Sequence, residues 1–257
     1  MSAAHTSTPA GSPASPAARV VVVCATRATR AGFEEQALLA RCLPRLRRCA
    51  PVALRLQLGN TAPLAEVYNA AIDQAAPEDV LVFVHDDVHV DDWLAAQRLS
   101  EALGHFDIVG VAGNRRRQPG QLAWYLQPPY RDEQGRLRHD AWDHPHLSGA
   151  VAHGTAPGAS AVSSYGPAPQ AVRLLDGLFL AARAATLQRS GVRFDPALGF
   201  HFYDLDFCRT AEAAGLKLGT WPLALTHAST GASIRSPAWA QARTAYLRKW
   251  QEAGEPL

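Results

Sequence analysis

Unbroken apolar runs mark two stretches early in the chain. Arg19 to Ala25 reads RVVVVCA, and Asp79 to Val84 reads DVLVFV. A continuous β-branched run suits a strand buried on both faces, as in a parallel sheet under helices. Val52 to Leu58 (VALRLQL) alternates apolar and polar positions, the period of a strand, and Gly59-Asn60-Thr61 turns the chain after it. Gly32 to Cys49 is rich in Ala, Leu, Glu and Arg and reads as a helix that Pro44 should break or kink. Leu64 to Ala75 (LAEVYNAAIDQA) is an amphipathic helix. A further helix is expected to start near Asp91, a suitable cap, and Phe106 to Ala112 (FDIVGVA) is another buried strand. Strands alternating with helices imply an α/β, Rossmann-like domain with a mostly parallel central sheet and right-handed crossovers.

Residues 114–170 interrupt this rhythm. They hold many of the prolines, glycines and histidines, with Trp124, Tyr125, Tyr130 and Trp142 scattered among them. A structureless stretch of that length suggests a functional lid or a disordered insert. Regular structure resumes at Ala171 to Ala182, and Phe194 to Tyr203 reads as a loop. Asp204 to Ala214 is a helix with Gly215 as its C-cap. Lys217 to Leu225 is a strand, and Trp239 to Trp250 is an amphipathic helix.

Charge narrows the functional classes. The 257 residues carry 25 basic and 23 acidic side chains, a net charge of +2, which gives no basic face for nucleic acid. Arg115, Arg116 and Arg117 form a local basic run of the kind that is usually solvated. Cys24, Cys42, Cys49 and Cys208 show neither CxxC pairing nor metal-ligand spacing, so a reducing cytoplasm is the expected home. Residues 1–18 read as a disordered tail before a domain over 19–257, and no stretch is long enough for a membrane span.

Three clusters carry the candidate chemistry. His85-Asp86-Asp87 follows the buried strand, at the sheet edge where α/β proteins bind ligands. Adjacent carboxylates repel one another, and a divalent cation relieves that cost. The other reading is a turn whose acids cap the next helix. The second cluster is Phe200-His201-Phe202-Tyr203-Asp204-Leu205-Asp206, where helical geometry lets only one of the two acids face a site. The third is His227, after the last strand.

In this order the clusters resemble the GT-A-fold glycosyltransferases, in particular the family-2-like group. VFVHDDV is similar to that family's metal-binding Asp-x-Asp strand end, with His85 in the first acidic position. LDGLFLAAR, with Asp176 and Gly177, resembles the segment bordering the acceptor. FDPALGFHFYDLDFCRTAEAAG resembles the catalytic-base segment, with Tyr203 where Glu often stands and Asp204 at the Asp. TWPLALTHASTG and Tyr68-Asn69-Ala70-Ala71 also have counterparts there. The resemblance implies metal-dependent transfer, with inversion, of a sugar from a nucleoside diphosphate sugar to a glycan or lipid-linked acceptor. It implies Mn2+ or Mg2+ on Asp87 and His227, and Asp204 as catalytic base. Thr26, Arg27, Asn60, Asp86, Asp176 and Gly177 are the candidate binding residues around donor and acceptor. Two alternatives stay open: an inactive homologue that only binds nucleotide or glycan, and a metal-dependent phosphoesterase.

Overall fold

The structure is a computed structural model that describes residues 19–156, 161–228 and 236–253. The expected tail at 1–18 lies outside them. β1 (Val20–Ala25) leads through α1 (Arg30–Gln36) and α2 (Leu38–Cys49) to β2 (Val52–Gln57), and α3 (Leu64–Gln74) leads to β3 (Val80–Val84). β4 (Val88–Val90), α4 (Ala95–Ala102), β5 (Ile108–Gly110) and β6 (Ala112–Asn114) follow. The small hairpin β7 (Tyr130–Arg131) and β8 (Leu137–Arg138) precedes β9 (Leu147–His153) and β10 (Ala161–Gly166). Next come β11 (Gln170–Val172), β12 (Leu174–Leu175), β13 (Phe179–Arg183) and α5 (Ala184–Ser190). α6 (Tyr203–Ala213), β14 (Leu218–Thr220), β15 (Leu225–His227) and α7 (Pro237–Lys249) complete the order.

The central sheet has seven strands in the order β11-β14-β5-β13-β3-β1-β2. The apolar runs fall where both faces are covered: every residue of β3 is buried, and so are Val20 to Cys24 of β1. A fully buried aliphatic side chain contributes roughly 1.5–3 kcal/mol, so these two strands anchor the fold. The sheet is mixed rather than mostly parallel. β1 pairs in parallel with β2 and β3, but β13 enters between β3 and β5 antiparallel to both. A second sheet runs β12-β6-β9-β15-β4, with β10 on β9. Phe106 to Ala112 therefore spans parts of two strands: β5 belongs to the first sheet and β6 to the second. Small residues permit the crossover, since a Cβ on Gly113 would lie 2.3 Å from the Leu174 carbonyl oxygen.

Other expectations shift for local reasons. The first helical stretch breaks at Ala37, whose backbone is extended, and Pro44 sits inside α2. The hydrogen bond that Pro44 forgoes is offset by burial of Leu38, Leu39, Cys42, Leu43 and Leu46 on the same helix. Asp91 caps no helix. Its carboxylate accepts from the Thr226 hydroxyl at 2.7 Å and meets His89 Nδ1 at 2.8 Å, tying β4 to β15. Residues 114–170 include strands of the second sheet, with Leu147, Ser148, Gly149 and Val151 of β9 buried. The arginine run is partnered rather than simply solvated. Arg116 pairs with buried Asp143, Nε to Oδ2 at 2.8 Å, and Arg117 pairs with Glu252.

Asp206 is a structural acid. It is fully buried and accepts from Lys249 Nζ and Trp250 Nε1, each at 2.8 Å, which docks the end of α7 against α6. Hydrogen bonds to a charged group contribute about 1.5–3 kcal/mol. Asp206→Asn is expected to lower the melting temperature by roughly 3–12 °C for a chain of this size. A scan of the variant that superimposes on the parent would remove this assignment.

Candidate functional site

Two antiparallel pairings build the site at the carboxyl end of β3. β13 pairs with β3 so that Val84 faces Phe179, and the His85 N–H donates to the Leu178 carbonyl at 3.2 Å. This sets Asp176-Gly177-Leu178 beside His85. β15 pairs with β4 so that His227 faces Val88, and the Ala228 N–H donates to the Asp87 carbonyl at 2.9 Å. This sets His227 beside Asp87. The Ser-Thr-Gly stretch beyond Ala228 lies outside the described residues.

Asp87 Oδ1 and His227 Nε2 lie 3.3 Å apart. Both atoms are buried, yet neither makes an aligned hydrogen bond. Burial pushes the Asp87 carboxyl up, but His227 and then His85 outweigh it and leave the group below its ordinary range. Burial pushes the His227 imidazole down, and Asp87 more than reverses this. His85, half-buried, is held low by desolvation. One ligand atom from each of His85, Asp87 and His227 falls within a 4.8 Å circle. Two imidazoles and a carboxylate, with two orphaned buried donor atoms among them, fit a divalent metal. Imidazole ligands favour a transition ion over Mg2+.

A cleft of about 750 Å3 opens beside this cluster. Thr26, Arg27, Asn60 and Asp86 line one wall, and Phe200, His201 and Gln241 are among the residues of the opposite wall. The wall is cross-linked. The Thr26 hydroxyl donates to Asp86 Oδ2, and the Asn60 N–H donates to the Thr26 carbonyl at 2.8 Å. These four residues, expected from strand ends, share one cavity. Asp176 and Gly177 do not border it. They stand beside Asp204 and His85, where the Gly177 N–H donates to Asp204 Oδ2 and the His85 N–H to the Leu178 carbonyl.

Asp204 lies in the first turn of α6. The preceding Phe202 occupies the left-handed region (φ 60°), a conformation that costs a non-glycine residue about 1–2 kcal/mol. Its ring stacks on Tyr246 at 5.2 Å and packs on Trp239 at 5.4 Å, which holds the strained entry. Asp204 Oδ2 accepts from the Gly177 N–H at 3.3 Å, and Oδ1 from the Leu205 N–H at 2.9 Å. The carboxylate is recessed but keeps some solvent contact. Burial first, and then the charge of Asp176, push it up to about 7. Asp176 is also raised by burial. Gly177 is a packing residue: a Cβ there would meet the Tyr203 hydroxyl at 2.3 Å.

Beyond Asp176 lies an aromatic cluster. Trp142, 39% exposed, stacks on His144 at 5.4 Å and Tyr165 at 6.0 Å and packs on Tyr125 at 4.9 Å. The charge of Asp176 is felt at Tyr125 and Tyr165. His153 sits on β9 next to His227 of β15.

Of the residues singled out in the sequence, Asp87 and His227 lie side by side and Asp204 lies beside Asp176 and Gly177, whereas His153, Tyr165 and the α7 wall of the cleft were not singled out. His153 and Tyr165 had no signal, because they lie in the stretch that lacked a readable period. The α7 wall had a weak one, in the amphipathic pattern of Trp239 to Trp250.

Comparison with solved structures finds likenesses of moderate extent. The A197 protein from STIV aligns over 85% of this chain and 99% of its own, with 11% identity and a TM-score of 0.43. A mutant β1,4-galactosyltransferase 7 from Drosophila, in complex with manganese, UDP-Gal and xylobiose, aligns over 79% of this chain with 11% identity and a TM-score of 0.41. GalNAc-T7 with UDP, GalNAc and Mn2+ aligns over 91% with 13% identity and a TM-score of 0.48. This chain spans 64% and 48% of those last two. No match is found among curated proteins. A sequence family described as glycosyltransferase-like matches residues 52–225, from β2 through the start of β15 and well over half of the 257 residues. The chain belongs to this glycosyltransferase-like family.

Proposed function

We propose that the protein transfers a sugar from a nucleoside diphosphate sugar to an acceptor hydroxyl, with a divalent cation on Asp87, His227 and His85 and with Asp204 as base. The observation that carries this is the orphaned pair Asp87 Oδ1 and His227 Nε2 between a nucleotide-sized cleft and a carboxylate raised to about 7. Thr26, Arg27 and Asn60 hold the nucleoside, and Asp86 is braced by Thr26 at the sugar end. A bound divalent cation supplies charge stabilisation for the departing diphosphate.

The acceptor approaches from the Asp176 side. Asp204 takes the hydroxyl proton as the oxygen attacks the anomeric carbon. The bond from that carbon to the diphosphate oxygen breaks, and the nucleoside diphosphate leaves with the electron pair. One displacement with one base inverts the anomeric centre. Burial first, and then the neighbouring Asp176, raise the basicity of Asp204. The exposed face of Trp142, with Tyr125 and Tyr165, suits a sugar ring of a glycan or lipid-linked acceptor. No helix among the described residues is long and apolar enough to cross a membrane.

Melting curves with nucleoside diphosphates test the reading. At about 100 times the dissociation constant a ligand adds about 2.7 kcal/mol, or roughly 5–10 °C here. That shift is expected with Mn2+ and not with chelator. Equal shifts under both conditions would remove the metal from donor binding. Phosphate release without sugar transfer would favour the phosphoesterase. Binding without turnover on a sugar-nucleotide panel would favour the inactive homologue.

The pH profile gives an independent check. A base must be unprotonated, so turnover at saturating metal is expected to fall about tenfold per pH unit below about 7 and to level above it. A profile flat from pH 5 to 8 would exclude Asp204 as base.

A further inference from the structure

Tyr203 precedes the candidate base by one residue and is buried at 3% exposure. Its hydroxyl has two partners: the Gly177 carbonyl at 3.0 Å and His85 Nε2 at 2.8 Å. A carbonyl can only accept, and a phenol has one proton to give. The proton therefore points at Gly177, and the phenolic oxygen must accept from His85. This network assigns a hydrogen to His85 Nε2. A metal needs a ring nitrogen with a free lone pair, and only Nδ1 is left with one.

The surroundings hold the arrangement in place. The His85 N–H is tied to the Leu178 carbonyl, and the Phe200 ring covers the imidazole at 5.5 Å. Gly177 leaves room for the hydroxyl, where a Cβ would lie 2.3 Å from it. The Tyr203 ring packs against Tyr68 and Phe194, with centroids 6.4 and 6.2 Å away, so its hydroxyl has little freedom to leave His85. Glutamate, which the family resemblance implies at this position, would accept a hydrogen bond as well but would bring a charge. Tyrosine fixes the imidazole without one.

We propose that Tyr203 is a positioning residue for the metal site, holding His85 in its Nε2–H form so that Nδ1 faces the space shared by Asp87 Oδ1 and His227 Nε2. The proposal rests on the metal reading above and gives that reading its third ligand. Partners behind a ligating histidine typically contribute 10–100-fold in metal affinity.

The test uses the full-length protein without nucleotide and Tyr203→Phe, which keeps the ring. Mn2+ affinity is measured by calorimetry, and the His85 tautomer by nitrogen-15 NMR of the imidazoles. Tyr203→Phe is expected to bind Mn2+ about 10–100-fold more weakly and to lose the uniform Nε2–H signature. His85→Asp provides the control, because a carboxylate has no tautomer to fix. Adding Tyr203→Phe to His85→Asp is expected to change Mn2+ affinity less than twofold. An equal loss in both backgrounds would mean that Tyr203 acts through general packing, and the proposal falls. Parent-like Mn2+ affinity in Tyr203→Phe overturns the proposal alone. Failure of the parent protein to bind Mn2+ overturns the metal reading itself and the proposal with it.

Discussion

Replacing Asp87 with alanine is expected to abolish sugar transfer and leave the fold standing. Asp87 is the carboxylate of the three-residue cluster, and its buried Oδ1 lies 3.3 Å from His227 Nε2. A metal held on this cluster would stabilise developing charge by several kcal/mol. At about 1.4 kcal/mol per tenfold, its loss corresponds to a rate drop of 10³-fold or more. The fold should tolerate the change for two reasons. The side chain is 36% exposed, and its Oδ1 carries no aligned hydrogen bond to lose. The contact that joins β15 to this loop uses the Asp87 main-chain carbonyl, which alanine retains. The variant should therefore melt within a few degrees of the parent while binding Mn2+ far more weakly. Near-normal turnover by Asp87→Ala, with chelator equally harmless to the parent, would end the metal hypothesis.

What could be read from the chain follows how each element signals burial. β1 and β3 announce themselves through VVVVC and VLVFV, because a strand covered on both faces must be apolar at every position. Their carboxyl ends then locate Thr26 and Asp86, and the turn after β2 locates Asn60, so three residues that line the cleft could be read from the sequence. The other half of the site was less so. It depends on β13 (Phe-Leu-Ala-Ala-Arg) and β15 (Leu-Thr-His) returning antiparallel, and strand direction leaves no mark on segments of five and three residues. The second sheet was invisible for a further reason. β6 is Ala-Gly-Asn, and β9 carries Ser148 and Gly149 at buried positions, where close backbone approach matters more than side-chain volume. Neither helical nor strand periodicity survives in such segments, and the proline- and glycine-rich stretch reads as loop. Asp204 and Asp206 were separable as facing different ways, but the partner of Asp206 was not. Lys249 and Trp250 lie more than forty positions along the chain.

Asp204→Asn is expected to keep the nucleotide and lose the chemistry. The amide matches the carboxylate in shape, and its oxygen can still accept from the Gly177 or Leu205 N–H. The cleft proposed for the nucleotide is lined by other residues, so donor affinity should change little. What disappears is a proton acceptor whose affinity is held up to about 7 by burial and by Asp176. General-base catalysis typically contributes 10²–10⁴-fold, and turnover should fall by about that factor. Stability gives a second readout with a defined sign. The Asp204 carboxyl has an ordinary value of 3.8 and a folded value of about 7. The folded protein thus binds this proton in a window where the unfolded chain has released it. Ionising the group costs the parent stability as pH rises from about 4 to about 7. Asparagine has no such proton, so the melting temperature of Asp204→Asn relative to the parent should rise across that window. Calorimetry of donor binding, transfer rates and melting at pH 4.5 and 8 make the test. Asp206→Asn is the contrast: lower stability at both pH values, with turnover per folded molecule retained. Donor affinity falling in step with turnover in Asp204→Asn would make Asp204 a donor-holding or structural residue. A greater rate loss in Asp176→Asn, with Asp204→Asn nearly active, would move the base to Asp176, the other raised carboxylate on this side of the cluster.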